Sequence, residues 1–127
     1  MKTVEGYPLD RKTLALLESG ESAVFAARPS YVTVDGGTRW DGPTLLLTDR
    51  RLVVTKDRLF GKAKADVSIE WRAVRSVRGE LWQGGGPKIQ LLVENDRTRA
   101  PIEMIVPPEH AVDVESAIRS GYLPFVS

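Results

Sequence analysis

The sequence predicts a mainly β domain: a small antiparallel sandwich or barrel of seven strands, with a short helix before it and a longer helix after it. Three observations carry that prediction. From Glu21 to Val106 apolar residues recur with a period of two, in stretches broken by turn-forming residues roughly every ten positions. After Pro107-Pro108 the period becomes helical. No helical pattern alternates with the strands in between, which argues against a parallel βαβ sheet.

The clearest strand pair is Leu45-Leu46-Leu47-Thr48-Asp49-Arg50-Arg51-Leu52-Val53-Val54. A two-residue reversal at Asp49-Arg50 sets Leu47 opposite Leu52 and Leu45 opposite Val54, all on one face, because side chains alternate along a strand. Leu46 and Val53 then form an apolar island on the other face, among Thr44, Thr48, Arg51 and Thr55. That island needs cover, from the N-terminal helix or from another chain. Asp suits the first turn position because its side chain bonds nearby backbone and tolerates left-handed dihedrals.

The remaining elements follow in order. Residues 10–19 read as a short helix, with Asp10 placed to cap it, Leu9 and Leu14 at the positions of a hydrophobic staple, and Gly20 as its stop. Ala23, Phe25 and Ala27 alternate, Pro29-Ser30 interrupts, and Tyr31-Val32-Thr33-Val34 resumes, giving one strand with a bend. Asp35-Gly36-Gly37 and Asp41-Gly42-Pro43 bracket a loop that holds Thr38, Arg39 and Trp40. A second loop, 56–64, carries Leu59 and Phe60 at its tip. Val67, Ile69 and Trp71 alternate into a core; Val74 and Val77 lead to a strand ending at Leu81-Trp82. Ile89, Leu91 and Val93 share one face, with Leu92 as the exception. Ile102, Met104 and Val106 make the last set, and Pro101 places it at an edge or early in its strand. The final helix spans about 108–120: Pro108 suits its first turn, Glu109 and Asp113 its positive end, Ala111, Val114 and Ile118 its buried stripe, and Gly121 its stop.

Composition narrows the function classes. A chain of 127 residues fits one domain, 1–127, able to bury roughly two-thirds of its unfolded surface. It has no cysteine, which excludes disulfides and thiolate metal sites and fits a reducing compartment. No apolar run approaches the ~18 residues that span a bilayer, and the start lacks a signal-peptide pattern, so the expected location is the cytoplasm, with peripheral contact at a membrane surface as an option. The formal net charge of +1 gives no concentrated basic footprint for nucleic acid.

Three motifs in sequence carry a resemblance. Leu17-Glu18-Ser19-Gly20-Glu21-Ser22-Ala23-Val24, then Leu46-Leu47-Thr48-Asp49-Arg50-Arg51-Leu52, then Ser68-Ile69-Glu70-Trp71-Arg72-Ala73-Val74-Arg75-Ser76-Val77, in that order and spacing, resemble the bacterial pleckstrin-homology-like domains and the related GRAM group. The likeness spans about residues 16–120. It implies a strongly bent, seven-stranded antiparallel sandwich closed at one end by the C-terminal helix, with a core of about 20–120. It also implies that phosphoinositide recognition, where the family shows it, would come from the first, third and sixth inter-strand loops. Here those loops hold Arg39, Lys56, Arg58, Lys62, Lys64, Arg97 and Arg99 against Asp35, Asp41, Asp57, Asp66, Glu94 and Asp96. The surplus of one cation argues against a tight polyphosphate pocket.

Two groups of candidate site residues follow. Lys56, Arg58, Lys62 and Lys64 around Leu59 and Phe60, with Arg39 and Trp40 nearby in sequence, have the chemistry of a probe for anionic membrane lipid; the ordinary alternative is a solvated loop. Leu46, Val53, Trp82 and Phe125 are the candidates for contact with a protein partner or a second copy. Arg50 and Arg51 are expected to pair locally and fix the turn. His110 is the only histidine, and His110 with Asp113 supplies only a fragment of a nucleophilic site. No metal-ligating cluster, phosphate loop or cofactor motif occurs. The expected function is a non-enzymatic binding module for protein contact or self-association, with lipid binding through 56–64 as the alternative and an enzyme as a disfavoured third.

Overall fold

The computed structural model describes residues 11–56, 64–82, 86–94 and 99–125. Helix α1 (Arg11–Leu14) is followed by β1 (Ala23–Ala27), β2 (Tyr31–Val34), β3 (Thr38–Asp41), β4 (Thr44–Thr48), β5 (Arg51–Thr55), β6 (Val67–Glu70), β7 (Val74–Trp82), β8 (Gly86–Glu94), β9 (Arg99–Ile105) and α2 (Ala111–Tyr122). Two antiparallel sheets result, one of order β1-β4-β5-β6 and one of order β3-β2-β9-β8-β7. The mainly β sandwich with a C-terminal helix is as the sequence predicts.

The strand count differs for a physical reason. The single bent strand of the sequence reading divides at Pro29: β1 pairs with β4 in one sheet, while β2 pairs with β9 in the other. Thr38, Arg39 and Trp40 are not a loop but β3, folded back on β2 through a tight turn in which Asp35 and Gly36 take positive φ (53° and 69°). Seven expected strands thus become nine among the described residues.

The hairpin of β4 and β5 has the expected register, with Leu47 opposite Leu52 and Leu45 opposite Val54. Its reversal is organised by Thr48 rather than by Asp49. The Thr48 Oγ1 accepts the N–H groups of both Arg50 and Arg51 at 3.0 Å. Leu45, Leu47, Leu52 and Val54 join the main core with Trp71, Val74, Val77, Ile89, Leu91, Ile102 and Met104. Val74 and Val77 both reach that core although three apart, because a bulge between Val74 and Ser76 resets the alternation.

Leu46 and Val53 are fully buried, in a second cluster with Ala26, under Leu14, Leu16 and Leu17. The end of α1 and the turn that follows it therefore supply the cover. This corrects their assignment as partner-binding residues: no surface remains there to dock on. An ion pair holds the cover in place. Arg51 reaches back to Glu21 (2.9 Å) and to the Leu16 carbonyl (2.9 Å), so it is not the local turn pair expected. Burial by itself raises the Glu21 carboxyl. Hydrogen bonds from Arg51, the Glu18 N–H and Thr48, together with the Arg51 charge, outweigh burial and leave it at about 2. The same contact raises the Arg51 guanidinium above its ordinary value.

Two prolines and a glycine behave differently from expectation. Pro101 lies in β9, a central strand. Its carbonyl accepts the Asp35 N–H just past the end of β2, so its missing N–H faces the same side, where no ladder bond is lost. Pro107-Pro108 open a 3₁₀ turn rather than the α-helix itself, which begins at Ala111. Gly121 does not stop α2, which runs on to Tyr122. A Cβ there would come within 2.5 Å of the Trp71 ring, so glycine is needed for close packing.

Candidate functional site

The geometry of interest begins where β9 leaves the sheet. β2 pairs with β9 as far as Tyr31 opposite Ile105, and the Ser30 N–H donates to the Ile105 carbonyl at 2.8 Å. Pro107 and Pro108 then lead the chain away into α2. The strand that could have continued beside β1 is diverted. Among the described residues β1 pairs with β4 alone, which places it at the edge of its sheet. An edge strand presents a row of backbone donors and acceptors that another extended segment can use.

Helix α2 roofs this opening without filling it. A cavity of about 560 Å³ lies between Val24, Phe25, Leu47 and Trp71 of the sandwich and Ser116, Ala117, Ser120, Gly121 and Pro124 of the helix side, with Asp49 and Asp113 also lining it. A second, of about 250 Å³, continues along Phe25, Ala26, Ala27 and Arg28 and is walled by Val106, Pro107, Glu109, His110 and Asp113. Phe25 and Asp113 line both, so the two are compartments of one groove along β1. Its floor is apolar and its margin polar, the usual make-up of a ligand cleft.

Local sequence explains each wall. A bulge between Ala23 and Phe25 turns Val24 outward, 53% exposed, while Phe25 stays in the core. On α2, Val114, Ile118 and Tyr122 point inward at helical spacing, so Asp113, Ser116, Ala117 and Ser120 fall on a neighbouring stripe of small side chains facing β1. The Trp71 indole N–H donates to the Thr48 carbonyl at 2.8 Å, which fixes the ring beneath Gly121. The Asp49 carboxylate accepts the Ser22 N–H (2.9 Å) and its own N–H donates to the Ser22 carbonyl (3.0 Å), anchoring the start of β1 beside the groove.

The residues predicted from sequence lie elsewhere. Arg39 sits on β3 with its guanidinium 3.9 Å from the Tyr31 ring centroid and 2.8 Å from the Asp41 carboxylate, so its charge is locally engaged. Trp40 is half-buried and packs against the main core. The Lys56 backbone N–H donates to the Asp66 carboxylate at 2.8 Å, and Lys56 and Lys64 are exposed. Arg58, Leu59, Phe60 and Lys62 lie outside the described residues, as do the side chains of Trp82 and Phe125. His110 is exposed near the start of α2 and lines the smaller compartment with Asp113. No group of carboxylates, histidines or cysteines that could hold a metal occurs among the described residues. No described helix is long and apolar enough to cross a membrane.

Sequence reasoning missed the groove residues Phe25, Asp49, Ser116, Ala117, Ser120 and Gly121 as a set. A signal did exist, in the small residues at helical spacing on the last helix. It acquires meaning only once β1 is known to lie opposite.

No family model matches the chain, and no curated protein matches it. Solved structures do. The chain is similar to the Vps36 N-terminal PH domain (14% identity, TM-score 0.65, covering 85% of this chain and 83% of that one). It is similar also to a DUF1696 family protein with a pleckstrin-homology domain from Shewanella loihica PV-4 (11% identity, TM-score 0.58, 90% and 94% covered). A pleckstrin homology domain from Shewanella amazonensis SB2B matches as well (14% identity, TM-score 0.55, 88% and 93% covered). These likenesses show the fold, whose architecture is that of a pleckstrin-homology domain.

Proposed function

We propose that this pleckstrin-homology fold serves as a non-enzymatic protein-docking module, and that the groove between β1 and α2 receives the partner as an extended segment. One observation supports the reading above others. The diversion of β9 at Pro107 leaves an edge strand open beside an apolar-floored cleft, the arrangement in which a peptide adds a strand and seats alternate side chains in pockets. The lipid reading finds less support, because Arg39 is engaged by Asp41.

Selection from a random peptide display library, run in parallel on the wild type and on Ser120→Arg, tests the reading. Ser120 is exposed, so the variant folds and fills the groove mouth. Peptides enriched on wild type and lost on Ser120→Arg are expected. Enrichment that survives the substitution rejects the groove. Flotation of the wild type with vesicles containing phosphatidylserine, unchanged by Ser120→Arg, would instead favour the membrane-surface alternative.

A further inference from the structure

We infer that the segment fitting this groove is a basic, apolar-flanked strand: a Lys or Arg between two large apolar side chains, paired along β1. The inference rests on the docking reading above and adds the chemistry of the partner. Three acids line the two compartments, Asp49, Glu109 and Asp113, against Arg28 and the single His110. Asp49, Glu109 and Asp113 make no ion pair among the described residues, although Arg39, Arg51, Arg72, Lys88 and Arg119 all do. The groove's margin thus carries three carboxylates with no cationic side chain paired to them, Asp49 accepting only the Ser22 N–H, while its floor is Phe25, Leu47 and Trp71. A basic segment would bring a cation to those carboxylates, a neutral one would not, and an acidic one would be repelled.

Geometry sets the spacing of the motif. β1 has five residues, so it offers about 17 Å of edge at roughly 3.4 Å per residue, enough for a five- or six-residue segment. Side chains two apart on such a segment point the same way, about 7 Å from each other, so two apolar anchors can be offered to the groove on one face. Asp113 lines both compartments and is exposed, so an acid stands at the junction between the places proposed for the two anchors. The bulge at Val24 adds selectivity, since an irregular edge disfavours indiscriminate pairing with flat strands.

The test uses the full chain and three fluorescein-labelled seven-residue peptides of alternating Val and Phe, differing only in the intervening residues, which are Lys, Ser or Glu. Fluorescence anisotropy at low salt should show the Lys peptide binding about tenfold more tightly than the Ser peptide, with the Glu peptide weakest and the Lys advantage shrinking at high salt. Glu109→Gln/Asp113→Asn should bring the Lys peptide to the affinity of the Ser peptide. Ser120→Arg should remove binding of all three. Equal binding of the three peptides, still lost in Ser120→Arg, overturns the basic-segment inference and leaves the docking reading standing. Binding untouched by Ser120→Arg, or none up to millimolar concentration, overturns both. A dimer by light scattering that dissociates in Ser120→Arg would put a second copy in the groove and likewise overturn the inference.

Discussion

Helix α2 runs between two edge strands and treats them in opposite ways. On the β7 side, Arg119 donates to the Val77 carbonyl at 2.9 Å and lies 3.7 Å from Glu115, whose carboxylate occupies the space a Cβ would need at Gly79. On the β1 side the same helix presents Ser116, Ala117 and Ser120, which are too short to reach across, and cavities remain. One edge is capped by long polar side chains and the other is left open by small ones. Backbone topology makes both strands edges; whether each is sealed or accessible is then a matter of side-chain length on two stripes of one helix.

Four perturbations break or sharpen this contrast. The largest effect belongs to the ion pair that ties the start of β1 to the sheet. Arg51→Met leaves the fully buried Glu21 carboxylate without its cation, and chemical denaturation should show a loss of about 3 to 5 kcal/mol. A loss below about 1 kcal/mol would mean the pair does not anchor β1. The same site gives a pH dependence. Glu21 has a folded-state value of about 2, below its ordinary 4.5, so its contribution is fully present above pH 4.5 and is lost as pH falls through about 2. Urea melts from pH 6 to pH 2 should show that decline in the wild type, and a shallower one in Glu21→Gln/Arg51→Met. Equal slopes would refute the assignment.

Next comes Gly121→Val, which forces a side chain against Trp71 on the open side. Overpacking of this kind costs about 1 to 3 kcal/mol, and the Trp71 indole N–H resonance should shift as its bond to Thr48 is disturbed. An unshifted indole would show that the ring is not held as described. Arg119→Ala then removes the cap from β7, at a cost of about 1 kcal/mol. Hydrogen exchange should accelerate along the outer edge of β7 and not along β4; unchanged exchange would indicate that the helix backbone alone protects that edge. The smallest change in stability, within about 0.5 kcal/mol, is expected for Ser116→Arg/Ser120→Arg, which gives the β1 side the long side chains of the β7 side. Its large effect is on peptide binding, which should vanish. Retained binding would mean that side-chain length does not decide access.

Much of the fold was legible because it depends on short-range alternation. Leu45, Leu47, Leu52 and Val54 fall on one face whatever surrounds them, and Ile89, Leu91 and Val93 do likewise. The reading failed where a local signal had two structural meanings. Pro29 bends a strand or divides it between sheets. Gly121 stops a helix or admits an indole ring, and the ring belongs to Trp71, fifty residues earlier in the chain. β3 looks like a loop in the sequence because four residues, Thr38 to Asp41, with one half-buried side chain between glycines carry no periodicity of their own.

The candidate groove shows the same boundary from the other side. Small residues on the last helix and alternation in Ala23 to Ala27 are both visible in the sequence, yet neither names the other as its neighbour. The sequence by itself determined a mainly β sandwich, the β4–β5 register and the faces that must be buried, since periodicity is a property of consecutive residues. Only the tertiary structure decided that Leu14, Leu16 and Leu17 cover Leu46 and Val53, that Arg51 finds Glu21 thirty residues back, and that one edge beside α2 is sealed while the other stays open. Each of those outcomes depends on how far apart separate elements come to rest, and that distance is set by packing rather than by any local pattern.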